Sequence, residues 1–216
     1  MELRDILPYV DHTELSPAAT WEAVRTLCDD ALTYGTATVC IPPCYVRRAA
    51  NYLGDRLPVC TVIGFPHGNS PTAAKAYEAA QVVAAGAAEV DMVVNIGWVK
   101  DGLFDAVTDE IRIVKKAVGD KCLKVIIEAC LLTEEEKIAL CRCVTEAGAD
   151  FIKTSTGFST GGATVEDIRL FAVHVGPGVK IKADGGIRTV EAAEALLQAG
   201  AHRLGASALV KLAKEA

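Results

Sequence analysis

Four glycines mark out the architecture of this chain. Ala85-Gly86-Ala87-Ala88, Ala147-Gly148-Ala149-Asp150 and Ala199-Gly200-Ala201-His202 each stand between a helix-forming stretch and a β-branched run, and Gly35 before Thr36-Ala37 is a weaker copy. Glycine supplies the left-handed turn at a helix end, so each copy reads as a helix terminus that feeds a strand. The four glycines are 51, 62 and 52 residues apart, room for two βα units per period. Four such periods favour a closed ring over an open sheet.

The runs between these marks agree. Strands are expected at Tyr9–His12, Ala37–Ile41, Val59–Ile63, Glu89–Val94, Leu123–Glu128, Asp150–Thr154, Val179–Ala183 and Arg203–Ala206. Helices are expected over 17–33, 43–53, 71–85, 103–117, 133–146, 164–174, 189–198 and 207–215. Ser16-Pro17, Ser70-Pro71, Thr133 with Glu136, and Thr164 with Asp167 signal helix starts. Eight βα units predict an α/β fold, a single-domain (β/α)8 TIM barrel over residues 1–216. The competing architecture is a doubly wound open sheet, but no G-x-G-x-x-G follows the first strand. Barrels of this kind usually need about 250 residues, so the loops of this 216-residue chain must be short and suit a small substrate.

Composition narrows the function classes. The formal net charge is −6 and the basic residues are dispersed, which argues against a nucleic-acid partner. No run of 18 apolar residues and no basic-then-apolar leader is present, so no membrane partner is expected and the expected compartment is the cytoplasm. The eight cysteines are read as reduced thiols, and the four dispersed histidines form no metal pattern.

Strand parity places charge inside the ring. Side chains alternate between faces, so Lys124 and Glu128, Glu89 and Asp91, Lys153, and Lys180 and Lys182 share inward sides, opposite Val125, Val90, Ile152 and Ile181. Inward charges are costly unless paired; Lys124, Lys153 and Lys182 are expected to meet Asp11, Asp91 and Glu128. A structural ion network would satisfy that balance as well as chemistry would. Placement favours chemistry: Lys153 and Lys182 close successive strands at the end where barrel active sites lie. Desolvation and mutual repulsion are expected to lower the pKa of at least one, which makes an amine nucleophile. Two lysines and a carboxylate suit carbinolamine and Schiff-base chemistry.

The last two strands carry the second signal. Ala183-Asp184-Gly185-Gly186-Ile187-Arg188 follows Lys182, and Gly205-Ala206-Ser207 closes the eighth strand. Glycine lets backbone N–H groups approach an oxyanion, and barrels often bind phosphate at these two loops.

With these segments in view, the sequence resembles the deoxyribose-phosphate aldolase family. The resemblance runs almost end to end, through Val10-Asp11-His12-Thr13, Thr61-Val62-Ile63-Gly64-Phe65-Pro66, Asp91-Met92-Val93-Val94-Asn95-Ile96-Gly97, Phe151-Ile152-Lys153-Thr154-Ser155-Thr156-Gly157 and Gly185-Gly186-Ile187-Arg188. It implies a class I aldolase that reversibly cleaves 2-deoxy-D-ribose 5-phosphate to acetaldehyde and D-glyceraldehyde 3-phosphate, in deoxyribonucleotide catabolism. It also implies a (β/α)8 barrel, a homo-oligomer (dimer or tetramer), and no metal or organic cofactor. By the same transfer, Lys153 forms the imine, which serves as electron sink, and Asp91 and Lys182 serve the proton relay. Asp11, Thr154, Gly157, Gly185, Gly186, Arg188, Gly205 and Ser207 are the implied substrate-binding residues. The chain departs from the family pattern at Asp184, where a small residue is more usual and whose carboxylate either repels a phosphate or pairs with Lys182 or Arg188, and at Ala208, which replaces a second Ser beside Ser207. The remaining alternatives are a Schiff-base lyase for another aldehyde and a non-catalytic phosphate-binding barrel.

Overall fold

The computed structural model describes residues 1–215. Eight parallel strands close into a barrel in sequence order: β1 (Val10–Thr13), β2 (Thr38–Ile41), β3 (Val59–Ile63), β4 (Glu89–Val93), β5 (Cys122–Ile126), β6 (Phe151–Lys153), β7 (Lys180–Asp184) and β8 (Arg203–Gly205). Strand β8 pairs with β1, which joins the ring and excludes the open sheet. The outer faces of the strands carry Val90, Met92, Val125, Ile152, Ile181 and Leu204, all buried in one apolar cluster with the helices. A second, small cluster of Cys40, Cys60 and Val62 lies apart from it.

Helix α1 (Leu3–Ile6) precedes the first strand, and the others follow the strands: α2 (Trp21–Tyr34), α3 (Val46–Leu53), α4 (Thr72–Ala84), α5 (Ile96–Lys100), α6 (Phe104–Val118), α7 (Glu134–Glu146), α8 (Val165–His174), α9 (Val190–Gln198) and α10 (Ala208–Glu215). Thr133 and Glu136 form a reciprocal capping box at α7, and Thr164 accepts from the Asp167 N–H at α8. The Ser16-Pro17 signal does not start a helix. That segment is a turn, and α2 begins at Trp21 with Thr20 as its cap. Two short helices were not foreseen. Helix α1 packs against α9 and α10. Helix α5 is capped by Asn95, whose side chain accepts from the Trp98 N–H. Each is too short to leave a periodic signal. Among the described residues no helix is long and apolar enough to cross a membrane.

Among the described residues, one fully buried ion pair lies outside the strand ring and between helices. Lys75 on α4 meets Glu110 on α6 at 2.9 Å, with both side chains inaccessible to water. The Lys75 ammonium also donates to the Val93 carbonyl at 2.8 Å, and Glu110 accepts from the Asn95 N–H and the Thr72 hydroxyl. The lysine stem crosses Gly64, where an added Cβ would come within 3.0 Å of it. Breaking a buried pair leaves one uncompensated charge, which costs about 3–5 kcal/mol. Glu110→Ala is therefore expected to lower the unfolding free energy by that amount in urea titrations. The double change Lys75→Met with Glu110→Leu is expected to lose less.

Candidate active site

The parallel register decides which charges meet. Asp91 pairs in register with Lys124, Lys153 with Lys182, and Lys182 with Arg203. The inward side chains of β1, β4, β5, β6, β7 and β8 therefore converge at one level. Asp91 is the hub. Its Oδ1 lies 2.7 Å from the Lys124 ammonium, and its Oδ2 lies 2.9 Å from Lys153 and 2.8 Å from Lys182. Asp11 lies 2.5 Å from Lys182 and 2.6 Å from Arg203, and accepts from the Thr38 hydroxyl. Glu89 lies 2.6 Å from Lys124 and 3.2 Å from Arg203. Asp184 completes the set, 2.9 Å from Lys153 and 3.9 Å from Lys182. Four cations thus face four carboxylates.

Glu128 is not among them, contrary to the parity argument. Strand β5 ends at Ile126, and Glu128 adopts a left-handed backbone with φ 51°. Its carboxylate instead accepts from the Thr156 N–H and hydroxyl at 3.2 and 2.5 Å, bracing the loop after β6. Once the chain leaves the strand, alternation no longer predicts direction.

The pairing also reverses the expected pKa shift. Burial opposes the charge on Lys153, but Asp184 and Asp91 outweigh both burial and repulsion from Lys182, and hold the ammonium above the ordinary lysine range. Burial likewise opposes charge on Lys182, yet Asp11 and Asp91 hold it well above that range. Asp91 is pushed up by burial and pulled further down by Lys124, Lys153 and Lys182, ending well below the usual carboxylate range. The expectation counted lysines against one another; the structure adds more carboxylates than it counted.

Asp184 connects this network to a cavity of about 240 Å³. Gly157, Gly185, Gly186, Arg188, Gly205 and Ser207 line it, with Thr13 and Thr156. Gly185 and Gly186 have φ of 85° and 77°, a backbone that favours glycine. The loop after β6 docks on them: the Ala163 N–H donates to the Asp184 and Gly185 carbonyls, and a Cβ on Gly162 would meet the Gly185 oxygen at 2.3 Å. Two expected substrate contacts are placed elsewhere. Asp11 is fully buried among its cations, and Thr154 is buried between β6 and β7, exchanging hydrogen bonds with the Asp184 backbone.

Two members of the network escaped the sequence reading as partners. Glu89 stood on the predicted inward side of its strand but was given no cation. Arg203 opens β8, where a charge reads as a strand boundary. Asp184 was placed before the phosphate loop with Lys182 or Arg188 as a partner; Lys182 is within 3.9 Å, but its nearest cation, Lys153 at 2.9 Å, was not foreseen.

Comparison with known proteins agrees with this geometry. Residues 6–212 match the model of the DeoC/LacD family of aldolases. A deoxyribose-phosphate aldolase from Clostridium botulinum is 56% identical over 214 residues, covering 99% of this chain and 97% of that one. Among solved structures, a candidate deoxyribose-phosphate aldolase from Coccidioides immitis superposes with a TM-score of 0.95 at 43% identity, covering all of this chain and 87% of that one. A tetrameric deoxyribose phosphate aldolase from Aeropyrum pernix superposes with a TM-score of 0.88 at 34% identity, covering 99% and 92%. The chain belongs to the DeoC/LacD aldolase family.

Proposed function

We propose that this protein is a class I aldolase that reversibly cleaves 2-deoxy-D-ribose 5-phosphate to acetaldehyde and D-glyceraldehyde 3-phosphate. The observation that carries the reading is the place of Lys153. Its amine is buried at the end of β6, between Asp91 and Asp184, and Asp184 also lines a cavity with two glycine-rich loops and Arg188. The named activities of its relatives support the same substrate.

In this reading the Lys153 amine adds to the C1 aldehyde, and loss of water leaves a protonated imine. The electrons of the C2–C3 bond move into that imine as the C3 hydroxyl gives up its proton. Glyceraldehyde 3-phosphate leaves, the enamine takes a proton at C2, and water releases acetaldehyde. The iminium is the electron sink, so the chemistry requires no metal or organic cofactor. Asp91 bridges Lys153 and Lys182 through one oxygen, a route by which protons pass between Lys182 and the reacting centre. The phosphate is read at Gly157, Gly185, Gly186, Arg188 and Ser207, where backbone N–H groups and a guanidinium meet an anion. A cytoplasmic role in deoxyribonucleotide catabolism and a homo-oligomer, dimer or tetramer, belong to the same reading; the tetrameric relative supports the assembly.

Borohydride reduction in the presence of acetaldehyde is expected to add a two-carbon unit at Lys153. Lys153→Ala is expected to abolish both that mass gain and turnover; trapping at another lysine with activity intact would refute the assignment. Asp91→Asn keeps the shape and removes the charge, and kcat is expected to fall by about 10²–10⁴-fold, the usual size for lost acid–base catalysis. An unchanged rate would leave Asp91 a structural counter-ion. Arg188→Gln is expected to raise KM for deoxyribose 5-phosphate and leave kcat/KM for unphosphorylated deoxyribose unchanged, as read in parallel steady-state assays.

A further inference from the structure

Asp184 is the carboxylate of the barrel network whose nearest cation is Lys153. Its Oδ2 stands 2.9 Å from the Lys153 amine and 3.9 Å from that of Lys182. The other carboxylates have closer claims on them. Asp91 is shared with Lys124 and Lys182, Asp11 serves Lys182 and Arg203, and Glu89 serves Lys124 and Arg203. The backbone beneath Asp184 is fixed on both sides by Thr154. The space its carboxylate occupies exists because its register partner on β8 is Gly205; a Cβ there would lie 2.0 Å from Oδ2. The carboxylate therefore has a built seat facing the reacting nitrogen.

We propose that Asp184 is the counter-ion of the Lys153 nitrogen at both of its charged stages, the resting ammonium and the iminium of the covalent intermediate, and the acceptor of the proton released between them. This rests on Lys153 carrying the imine. The ammonium gives one proton to the Asp184 carboxylate, and the freed lone pair forms the C–N bond as the carbonyl pair moves to oxygen. A proton passes from nitrogen to that oxygen, giving the neutral carbinolamine. Protonated Asp184 then donates to the hydroxyl, which leaves as water while the nitrogen lone pair completes the C=N bond. Ammonium and aldehyde become iminium and water, and Asp184 is ionised at both ends of the sequence.

The consequence is a pH signature. The groups that face the Lys153 amine are Asp91 from β4, Lys182 and Asp184 from β7, and the thiol of Cys40 from β2; Lys124 and Cys60 touch the other oxygen of Asp91. Removing Asp184 leaves Lys153 with one carboxylate that three ammoniums share. Both the ammonium and the iminium then release their protons more readily. In kcat/KM, which reports the free enzyme, the wild type passes the ammonium proton to Asp184, whereas the variant must lose it to solvent before attack, so its acidic limb moves to higher pH. In kcat, which reports the bound states, the basic limb reports loss of the iminium proton and moves to lower pH. Attraction from Asp184 stands first among the influences that hold the Lys153 ammonium in place against burial.

The experiment is the pH dependence of kcat/KM and of kcat for deoxyribose 5-phosphate in the full protein, wild type and Asp184→Asn. Reduction of both with acetaldehyde and cyanoborohydride locates the adduct. An adduct at Lys153 in the wild type separately tests the reading on which this one depends. In the Asn variant the acidic limb of kcat/KM is expected to shift to higher pH and the basic limb of kcat to lower pH, each by about one unit or more, the usual size for loss of an adjacent opposite charge. Asp184→Ser, which fits the same space, is expected to move each limb as the Asn variant does, so the test survives a misfolded Asn variant. The preference for phosphorylated over unphosphorylated sugar is expected to stay constant. Limbs that keep their positions while the profile only drops in height overturn the proposal. So does a rise in phosphate preference, since the carboxylate would then act on the phosphate and not on the nitrogen.

Discussion

One carboxylate holding three ammoniums is the interaction on which the inside of this barrel depends. Asp91 uses one oxygen for Lys124 and the other for both Lys153 and Lys182. A lysine sealed from water without an anion would lose its proton or unfold its surroundings. Three of them at one level are tolerable only because Asp11, Glu89 and Asp184 supply the remaining negative charge. The balance extends to Arg203, which ties Asp11 to Glu89 on the side away from Lys153.

The barrel supplies what this balance requires. A closed ring of parallel strands fixes every inward side chain by register, so two lysines on β6 and β7 stand side by side without any loop being involved. The apolar residues are displaced to the outer face, where they hold the helices. Glycine does the fine work at β8, where Gly205 leaves room for the Asp184 carboxylate. Loops enter only at the rim, where the segment after β6 is braced by Glu128 and docks on Gly185.

The sequence showed the ring and the amines plainly, because both are periodic. The Gly86, Gly148 and Gly200 repeats give the βα count, and alternation puts Lys124, Lys153 and Lys182 on inward sides. Strand boundaries were legible to within a residue or two. What it hid was what periodicity does not encode. Which carboxylate meets which lysine depends on register between strands distant in sequence, so Glu128 was given a partner it lacks and Glu89 was given none. The direction of the Lys153 shift was missed for a like reason, since a pKa is a sum over all neighbours and the Asp184 carboxylate had not been placed beside that amine. Lys75 and Glu110 lie on helices that meet only in the fold, and nothing local marks them as a pair.

The contrast between the sealed network and the open rim divides the site by its response to salt. Mobile ions screen charges that they can surround, over a Debye length of about 8 Å at physiological strength, and screen buried pairs far less. Lys153, Lys182 and Asp91 are shut away from such ions, whereas Arg188, Gly186 and Ser207 are exposed to them. Ionic strength therefore acts on this protein as a selective instrument. It weakens the grip on a charged substrate at the rim while leaving the protonation of the amines, and with it the chemistry they perform, where it was.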